Sequence, residues 1–401
     1  MQHQVDHTKS KKECSACGTA PTNHHLMYFS NLLDEVIMDI GKPIFTFLFR
    51  GRESQWIIDF FEKFGFNLFH FLGFIRYSDD VEKASTGRSK LIWEEALRRG
   101  IKMQQAVLFG KYTEYYRAQV HGEKIIFQSL PIPPWLPRTG YDWIDDKLIF
   151  AKKLQEAGMK SPMTRRITSL KDAFSAFDIL HKPIILKPQS GSRGRHTTTN
   201  IHTKEQMEYA YLLAQQISPS MVAQEHLFGS VYRATVVNNV LVGFFRADQP
   251  YITGDGIKNI KELILEKNKN RPERISEIVI TEEILNFLNR QKYTLESILP
   301  KDISTHLLAK TGRLYGGYTK EMLPEVHPKI HSIFKKAGEI VSVPVAGFDL
   351  IIQDPTIDPD TQNWGIIECN SLPFIDLHYF AFDGEPVNVA TFIWDLWDMK
   401  K

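Results

Sequence analysis

The sequence predicts an α+β fold, and three observations carry that expectation. Short runs of β-forming residues alternate with helical segments that have recognisable start and stop signals. A proline cluster at Pro131, Pro133, Pro134 and Pro137 interrupts the pattern and marks a stiff connection. Beyond it, the apolar strand Ile184-Ile185-Leu186 ends on Lys187 and runs into Pro188-Gln189-Ser190-Gly191-Ser192-Arg193-Gly194-Arg195, while acids recur in later apolar strands at Asp349 and Glu368.

The bulk properties limit the function classes. A chain of 401 residues, 43% of them hydrophobic, is large enough for two or three domains with real cores. Lysine and arginine total 49 against 47 acids, a net charge of +2. So small an excess argues against a general nucleic-acid binder. The N-terminus is polar and lacks a signal-type apolar core. The greasiest stretch, residues 64–75, carries Asn67 and His70 and is too short to span a bilayer, so no membrane role is expected. Three cysteines give no disulfide framework, which points to a reducing cytoplasm.

The elements follow in order. Residues 1–30 read as a polar, poorly ordered tail. It contains Cys14-x-x-Cys17 and His24-His25, a Cys₂His₂ set on paper, but adjacent histidines point in different directions and rarely share one tetrahedral ion. Residues 31–144 form an N-terminal α/β region, with a strand over residues 43–49, a helix over residues 89–99 closed by Gly100, two strands over residues 103–109 and 112–120, and a hairpin at His121-Gly122 leading to a third over residues 125–127. After the proline linker, residues 145–223 begin with a helix capped by Asp145 and ended by Gly158. They continue with strand, loop and strand over residues 184–201 and a helix over residues 205–216. Residues 224–401 carry a hairpin over Asn238-Asn239, a charged helical insertion over residues 256–305, a helix from Pro328 to Val341, and strands over residues 348–353 and 365–369.

The chemistry lies in residues that break these patterns. Lys147 sits in the first turn of its helix, the positive end of the macrodipole, where a nearby anion would resolve the conflict. Lys187 places an ammonium in an apolar strand, which is expensive unless it is paired. The glycine-serine loop after it exposes backbone N–H groups and, with Arg193, suits a polyphosphate. A two-residue turn at Asn238-Asn239 would pair Arg233 with Phe244 and Val231 with Arg246, putting Arg233 and Arg246 on one face, diagonal to each other, where a shared anion would join them. Glu368 and Asn370 are two residues apart on a strand, hence on one side and about 6.6–6.8 Å apart along it. With Asp349 they offer hard oxygen ligands for one or two Mg²⁺ ions bridging phosphate. Cys369 between them would face the core. His327, His331 and His378 show no ligand spacing with these acids, although His378 can also be read as a substrate contact.

From residue 145 onward the chain resembles the ATP-grasp carboxylate–amine ligases, and within them the ATP-grasp parts of cyanophycin synthetase and bifunctional glutathione synthetase. The resemblance rests on Asp146-Lys147-Leu148, Ile185-Leu186-Lys187-Pro188 with its glycine loop, Gln224-Glu225-His226-Leu227-Phe228-Gly229, Tyr232-Arg233-Ala234, Thr253-Gly254-Asp255-Gly256, Ala346-Gly347-Phe348-Asp349-Leu350 and Ile366-Ile367-Glu368-Cys369-Asn370. It implies two α+β lobes gripping ATP behind an N-terminal α/β domain, the front lobe over residues 145–223 and the rear over 224–401. It implies ATP and two Mg²⁺ ions as cofactors. Lys147 and Lys187 would hold phosphates, Ser190, Gly191, Ser192, Arg193 and Gly194 would close over the γ-phosphate, and Gln224, Glu225 and Leu227 would form the adenine hinge. Asp349, Glu368 and Asn370 would bind the metal, and Arg233 and Arg246 would act at the acyl phosphate.

Three places depart from the pattern: the hinge begins with Gln224 where the family has an acid, Val231 stands where a ribose-binding acid is usual, and the family's Asn-rich run before a Gly-Gly pair is here Lys310-Thr311-Gly312-Arg313-Leu314-Tyr315-Gly316-Gly317. The implied activity is ADP-forming ligation of a small-molecule carboxylate to an amine, an amino acid or peptide, by a homo-oligomer. A phosphotransferase and a non-catalytic nucleotide-binding module are the alternatives on the same scaffold.

Overall fold

A computed structural model describes residues 14–17, 22–36, 71–189 and 194–400. The expected strand over residues 43–49, most of the apolar stretch 64–75 and the loop residues Ser190, Gly191, Ser192 and Arg193 lie outside these.

A short 3₁₀ turn, Ser15–Cys17, precedes helix α1, His24–Val36, so that part of the predicted polar tail has defined structure. Strand β1 (Ile75–Ser78), helix α2 (Gly87–Arg98) and strands β2 (Met103–Leu108), β3 (Lys111–Val120) and β4 (Glu123–Gln128) follow. The four strands form an antiparallel meander in the order β1-β2-β3-β4. Thr86 caps α2 by accepting the Ser89 N–H, and Gly100 has φ +72, which frees the chain to turn back into β2. The turn from β3 to β4 places His121 and Gly122 at φ 48 and 85, as the sequence indicates.

The next unit contains helix α3 (Lys147–Glu156), β5 (Thr164–Ile167), α4 (Leu170–Ile179), β6 (Ile184–Pro188), β7 (Thr198–Ile201), α5 (Lys204–Gln215) and β8 (Met221–Glu225). Its four strands run in the order β5-β8-β6-β7. Capping boxes at Ser169 and Thr203 start α4 and α5, whose buried faces (Ala173, Phe177, Met207, Ala210) cover Ile184, Leu186 and Met221.

The remainder builds on the hairpin β9 (Ser230–Val237) and β10 (Val240–Ala247), with Asn238 and Asn239 in the left-handed region at its tip. Strand β11 (Tyr251–Thr253), helices α6 (Ile260–Lys269) and α7 (Glu282–Arg290) and strand β12 (Ser304–His306) make up the insertion, which β11 and β12 close by pairing. It has its own apolar cluster around Ile264, Leu288 and Leu299. Strand β13 (Thr319–Glu321), helix α8 (Pro328–Val341) and strands β14 (Val345–Ile352) and β15 (Gly365–Asn370) complete a five-stranded sheet ordered β13-β10-β9-β14-β15. Helix α8 packs Ile330, Phe334, Ala337 and Val341 on one face of this sheet. The opposite face is left for the residues described below.

Two short helices, α9 (Asp376–Tyr379) and α10 (Val389–Asp395), bring the C-terminus back to the N-terminal sheet. The Trp394 indole donates to the Ile92 carbonyl at 2.9 Å and the Trp397 indole to Pro131 at 2.7 Å. These bonds and the cluster of Leu91, Trp93, Tyr116 and Ile393 join the first and last parts of the chain in one core.

Phe334 is fully buried between Phe244 and Phe348, with ring centroids 6.1 and 5.6 Å away. Phe334→Ala should lower the unfolding free energy by about 3–5 kcal/mol in urea titrations. A loss below about 1 kcal/mol would show that α8 does not anchor this sheet.

Candidate active site

Register on the five-stranded sheet creates the site. Asp349 lies opposite Arg233 on one side and Glu368 on the other, so three charged side chains share a row across β9, β14 and β15. Arg233 grips Asp349 with two prongs, Nε to Oδ1 at 2.6 Å and Nη2 to Oδ2 at 3.1 Å. Its third nitrogen, Nη1, is buried without an acceptor. Gly347 explains how the guanidinium fits: a Cβ there would stand 2.7 Å from Arg233 Nη1 and 2.6 Å from Pro373 Cβ.

Cations from the β5–β8 unit meet this row. Lys147 Nζ lies 3.9 Å from Glu368 Oε2 and donates to the Gln189 carbonyl at 3.3 Å. Lys187, at the end of β6, is buried and feels the charges of Glu368, Asp349 and Lys147. Lys187 and Glu368 therefore lie within reach of each other's charge. Three cations face two carboxylates there, so the residues named leave one positive charge over for an anionic ligand.

The loop entrance is held by a residue that sequence reasoning misassigned. Asp146, not Asp145, caps α3: its Oδ1 accepts the Leu148 and Ile149 N–H groups at 2.8 and 2.9 Å. Its Oδ2 accepts Gln189 Nε2 at 3.0 Å, fixing the first residue after β6. Asp145 instead accepts the Ser371 N–H at 3.0 Å and so steadies the end of β15 beside Asn370. The Asp-Lys-Leu triplet holds the signal, since an acid immediately before the helix is the better cap.

The hairpin register requires a second correction. A bulge between Leu241 and Gly243 shifts the pairing by one, so Arg233 lies opposite Phe245 and Arg246 opposite Tyr232. The two arginines therefore face opposite sides of the sheet, not one. Arg246 pairs with Asp248 through Nε at 2.5 Å.

Asn370 directs its amide nitrogen toward Glu368 Oε1 and the Gly347 carbonyl, 3.5 Å from each, which keeps Oδ1 as a third hard donor beside the two acids. Cys369 is buried in the core, as its alternation with Glu368 and Asn370 predicts. At the hinge positions, Gln224 is buried and donates to Thr164 Oγ1 at 2.7 Å, while Glu225 accepts the His181 N–H at 3.2 Å. Leu227 packs near Gly365, where a Cβ would come within 3.0 Å of its Cδ1. His378 is fully buried: its Nδ1 is 2.6 Å from Glu321 Oε2 and its Nε2 2.7 Å from Thr235 Oγ1. It is a core histidine that ties β13, β9 and α9 together, and it has no exposed edge for a substrate.

Electrostatics follow from burial. Burial pushes the Lys187 ammonium down to about 8, with Lys147 adding to the effect and the two acids opposing it. Burial also pushes Asp349 up, to about 8; Arg233 opposes the shift and the Glu368 charge reinforces it. Glu368 is pushed up by burial as well, yet Lys147, Lys187 and Arg233 bring it down to about 2. The two neighbouring carboxylates are thus driven apart, Asp349 upward and Glu368 downward, by burial and by the cations each one faces.

No family model matches the chain. Over 253 residues it is 30% identical to cyanophycin synthetase of Synechocystis sp., which is 61% of this chain and 29% of that protein. Over 255 residues it is 26% identical to the glutathione biosynthesis bifunctional protein of Mannheimia succiniciproducens, covering 60% of this chain and 34% of that one. The chain thus spans about a third of the length of these curated relatives. The crystal structure of a bifunctional glutathione synthetase from Pasteurella multocida superposes with a TM-score of 0.56 at 20% identity, over 78% of this chain and 43% of that chain.

The raised Asp349 value has a sign that can be tested. Its folded-state value lies above the unfolded one of 3.8, so its contribution to stability is complete below about pH 4 and is lost as pH rises through about 8. In the presence of a chelator, the melting temperature of the wild type should fall over that window more than that of Asp349→Asn. Parallel profiles would mean that Asp349 is already ionised at neutral pH.

By sequence over three fifths of its length, the chain is a homologue of cyanophycin synthetases and bifunctional glutathione-forming proteins, and its fold is that of the ATP-grasp ligases.

Proposed function

We propose that the protein is an ADP-forming ligase that joins a small-molecule carboxylate to the amine of an amino acid or peptide through an acyl phosphate. The observation that carries this reading is the unpaired Arg233 Nη1 inside a cleft where Lys147, Lys187 and Arg233 face Asp349 and Glu368. An orphaned guanidinium N–H in a cation-rich cleft calls for an anionic oxygen. Similarity to C–N ligases makes a carboxylate or its phosphate the fitting one.

ATP is the first substrate. Lys147 and Lys187 would hold its phosphates, and a phosphate beside Lys187 would restore the ammonium charge that burial disfavours. Gln224, Glu225 and Leu227 would receive the adenine. The substrate carboxylate attacks the γ-phosphorus, forming an acyl phosphate and releasing ADP. The amine then attacks the acyl carbon, gives up a proton, and the tetrahedral adduct collapses with loss of phosphate. Arg233 would stabilise negative charge on the acyl phosphate and on that adduct. Arg246, across the sheet and paired with Asp248, drops out of this role. The donor set of Asp349, Glu368 and Asn370 fits Mg²⁺, which when bound would neutralise charge on the transferring phosphoryl group.

No helix among the described residues is long and apolar enough to cross a membrane. A cytoplasmic site of action, where ATP is plentiful, is part of the proposal.

The test is a coupled ADP assay with pooled carboxylates and amines, followed by mass spectrometry of the products. Wild type should sustain ADP release over many turnovers only when both partners are present and should yield an amide. Asp349→Asn and Lys187→Met should each cut turnover by about 100-fold or more. A phosphorylated product without an amide would establish a phosphotransferase instead. Nucleotide binding without turnover under any pool would overturn the ligase reading.

A further inference from the structure

Outside the cleft, four potential metal ligands converge from three parts of the chain. Cys14 and Cys17 flank the Ser15–Cys17 turn, His24 opens α1, and His196 stands two residues beyond Gly194, ahead of β7. One ligand atom from each lies within 4.8 Å of all the others. Cys14 Sγ is 3.6 Å from His196 Nε2, Cys17 Sγ is 3.4 Å from the same nitrogen, and Cys17 Sγ is 3.2 Å from His24 Nε2.

These separations can be set against a tetrahedral ion. With metal–sulfur bonds of about 2.3 Å and metal–nitrogen bonds of about 2.0–2.1 Å, the sulfur-to-nitrogen edges of a tetrahedron are about 3.5–3.6 Å. The three separations fall at or just inside that value.

The surroundings orient the ligands as a metal centre requires. His196 Nδ1 donates to the Leu213 carbonyl at 2.7 Å, which leaves the Nε2 lone pair aimed at the thiols. The His196 backbone N–H donates to Ala16 at 3.2 Å, so the turn between the cysteines is seated directly on it. His196 and Cys17 are 1% and 2% exposed. The His196 backbone adopts φ +51, a conformation histidine seldom takes without a reason in its surroundings. Both thiols are free. The rings of His24 and His196 meet edge to face at 4.8 Å.

We propose that Cys14, Cys17, His24 and His196 form a structural Cys₂His₂ zinc site. Two thiolates and two imidazoles in tetrahedral array select zinc among common divalent ions. Four protein ligands fill the coordination shell, so the site would not bind substrate. The ion would fasten the N-terminal segment to the stretch leading into β7. The neighbouring α1 already rests on the same unit: Asn31 Nδ2 donates to Ile217 at 2.7 Å, and Glu35 accepts Ser220 Oγ at 3.0 Å. The site stands apart from the proposed reaction.

The sequence hides such a ligand set for a definite reason. Only His24 of the adjacent pair turns inward, and His25 is exposed. The fourth ligand is 182 residues from Cys14, so no local spacing displays it.

The test is metal analysis of the full chain expressed in zinc-supplemented medium and purified without chelator. Wild type should carry about one zinc per chain, and so should His25→Ala. Cys14→Ser and His196→Gln should lose most of it. Because those variants can misfold, the wild type is also exchanged into Co²⁺. It should then show the visible absorption of a tetrahedral thiolate-bound ion, and a chelator should abolish that signal while making both thiols reactive. Wild type free of zinc, a Cys14–Cys17 disulfide found by peptide mapping, or no cobalt spectrum would overturn the proposal.

Discussion

The structure around the cleft depends on one electrostatic constraint: two carboxylates on neighbouring strands cannot both stay charged away from water unless cations meet them. Asp349 and Glu368 are direct cross-strand partners, and each is answered by a cation from a different element. Arg233 grips Asp349 from within the same sheet, while Lys147 and Lys187 reach Glu368 from the β5–β8 unit. Removing Arg233 would leave Asp349 facing its neighbour alone. The two units are thus coupled through charge at the point where the proposed chemistry takes place.

The remaining architecture serves to hold that row in register. Helix α8 buries one face of the five-stranded sheet in apolar contact, and the other face carries Val237, Val242 and Val345 against the N-terminal core and the charged row beyond them. Gly347 keeps room for the Arg233 guanidinium. Asp146 uses one oxygen to cap α3 and the other to hold Gln189, so the placement of Lys147 and the end of β6 are set together. The buried Glu321–His378–Thr235 chain links edge strand β13 to β9, and Glu321 also accepts the Phe244 N–H at 2.8 Å. Every member of that chain is satisfied, as a buried polar network must be.

Much of this was legible in the sequence where local chemistry decides structure. Asn238-Asn239 specified a tight hairpin, Pro328 opened α8, and the two-residue spacing of Glu368 and Asn370 put both on one side. Lys147 and Lys187 stood out because each broke the preference of its element. What escaped were features set by more distant partners. The bulge at Leu241–Gly243 moves Arg246 to the other face, and Gly243, a glycine inside a strand, was the signal passed over. Asp146 could have been chosen as the cap from its place before the helix, but the bond from the Ser371 N–H to Asp145 comes from a partner far along the chain. His196 lies just past the expected phosphate loop, and its thiol partners lie at the other end of the chain.

The central claim is that cations from one unit and acids from the other converge on a single triphosphate. A crystal structure with Mg²⁺ and a non-hydrolysable ATP analogue tests it most directly. The account predicts phosphate oxygens contacting Lys147 and Lys187, with metal density bounded by Asp349, Glu368 and Asn370. Nucleotide bound elsewhere, or Lys147 still paired to Glu368 with no phosphate between them, would contradict it.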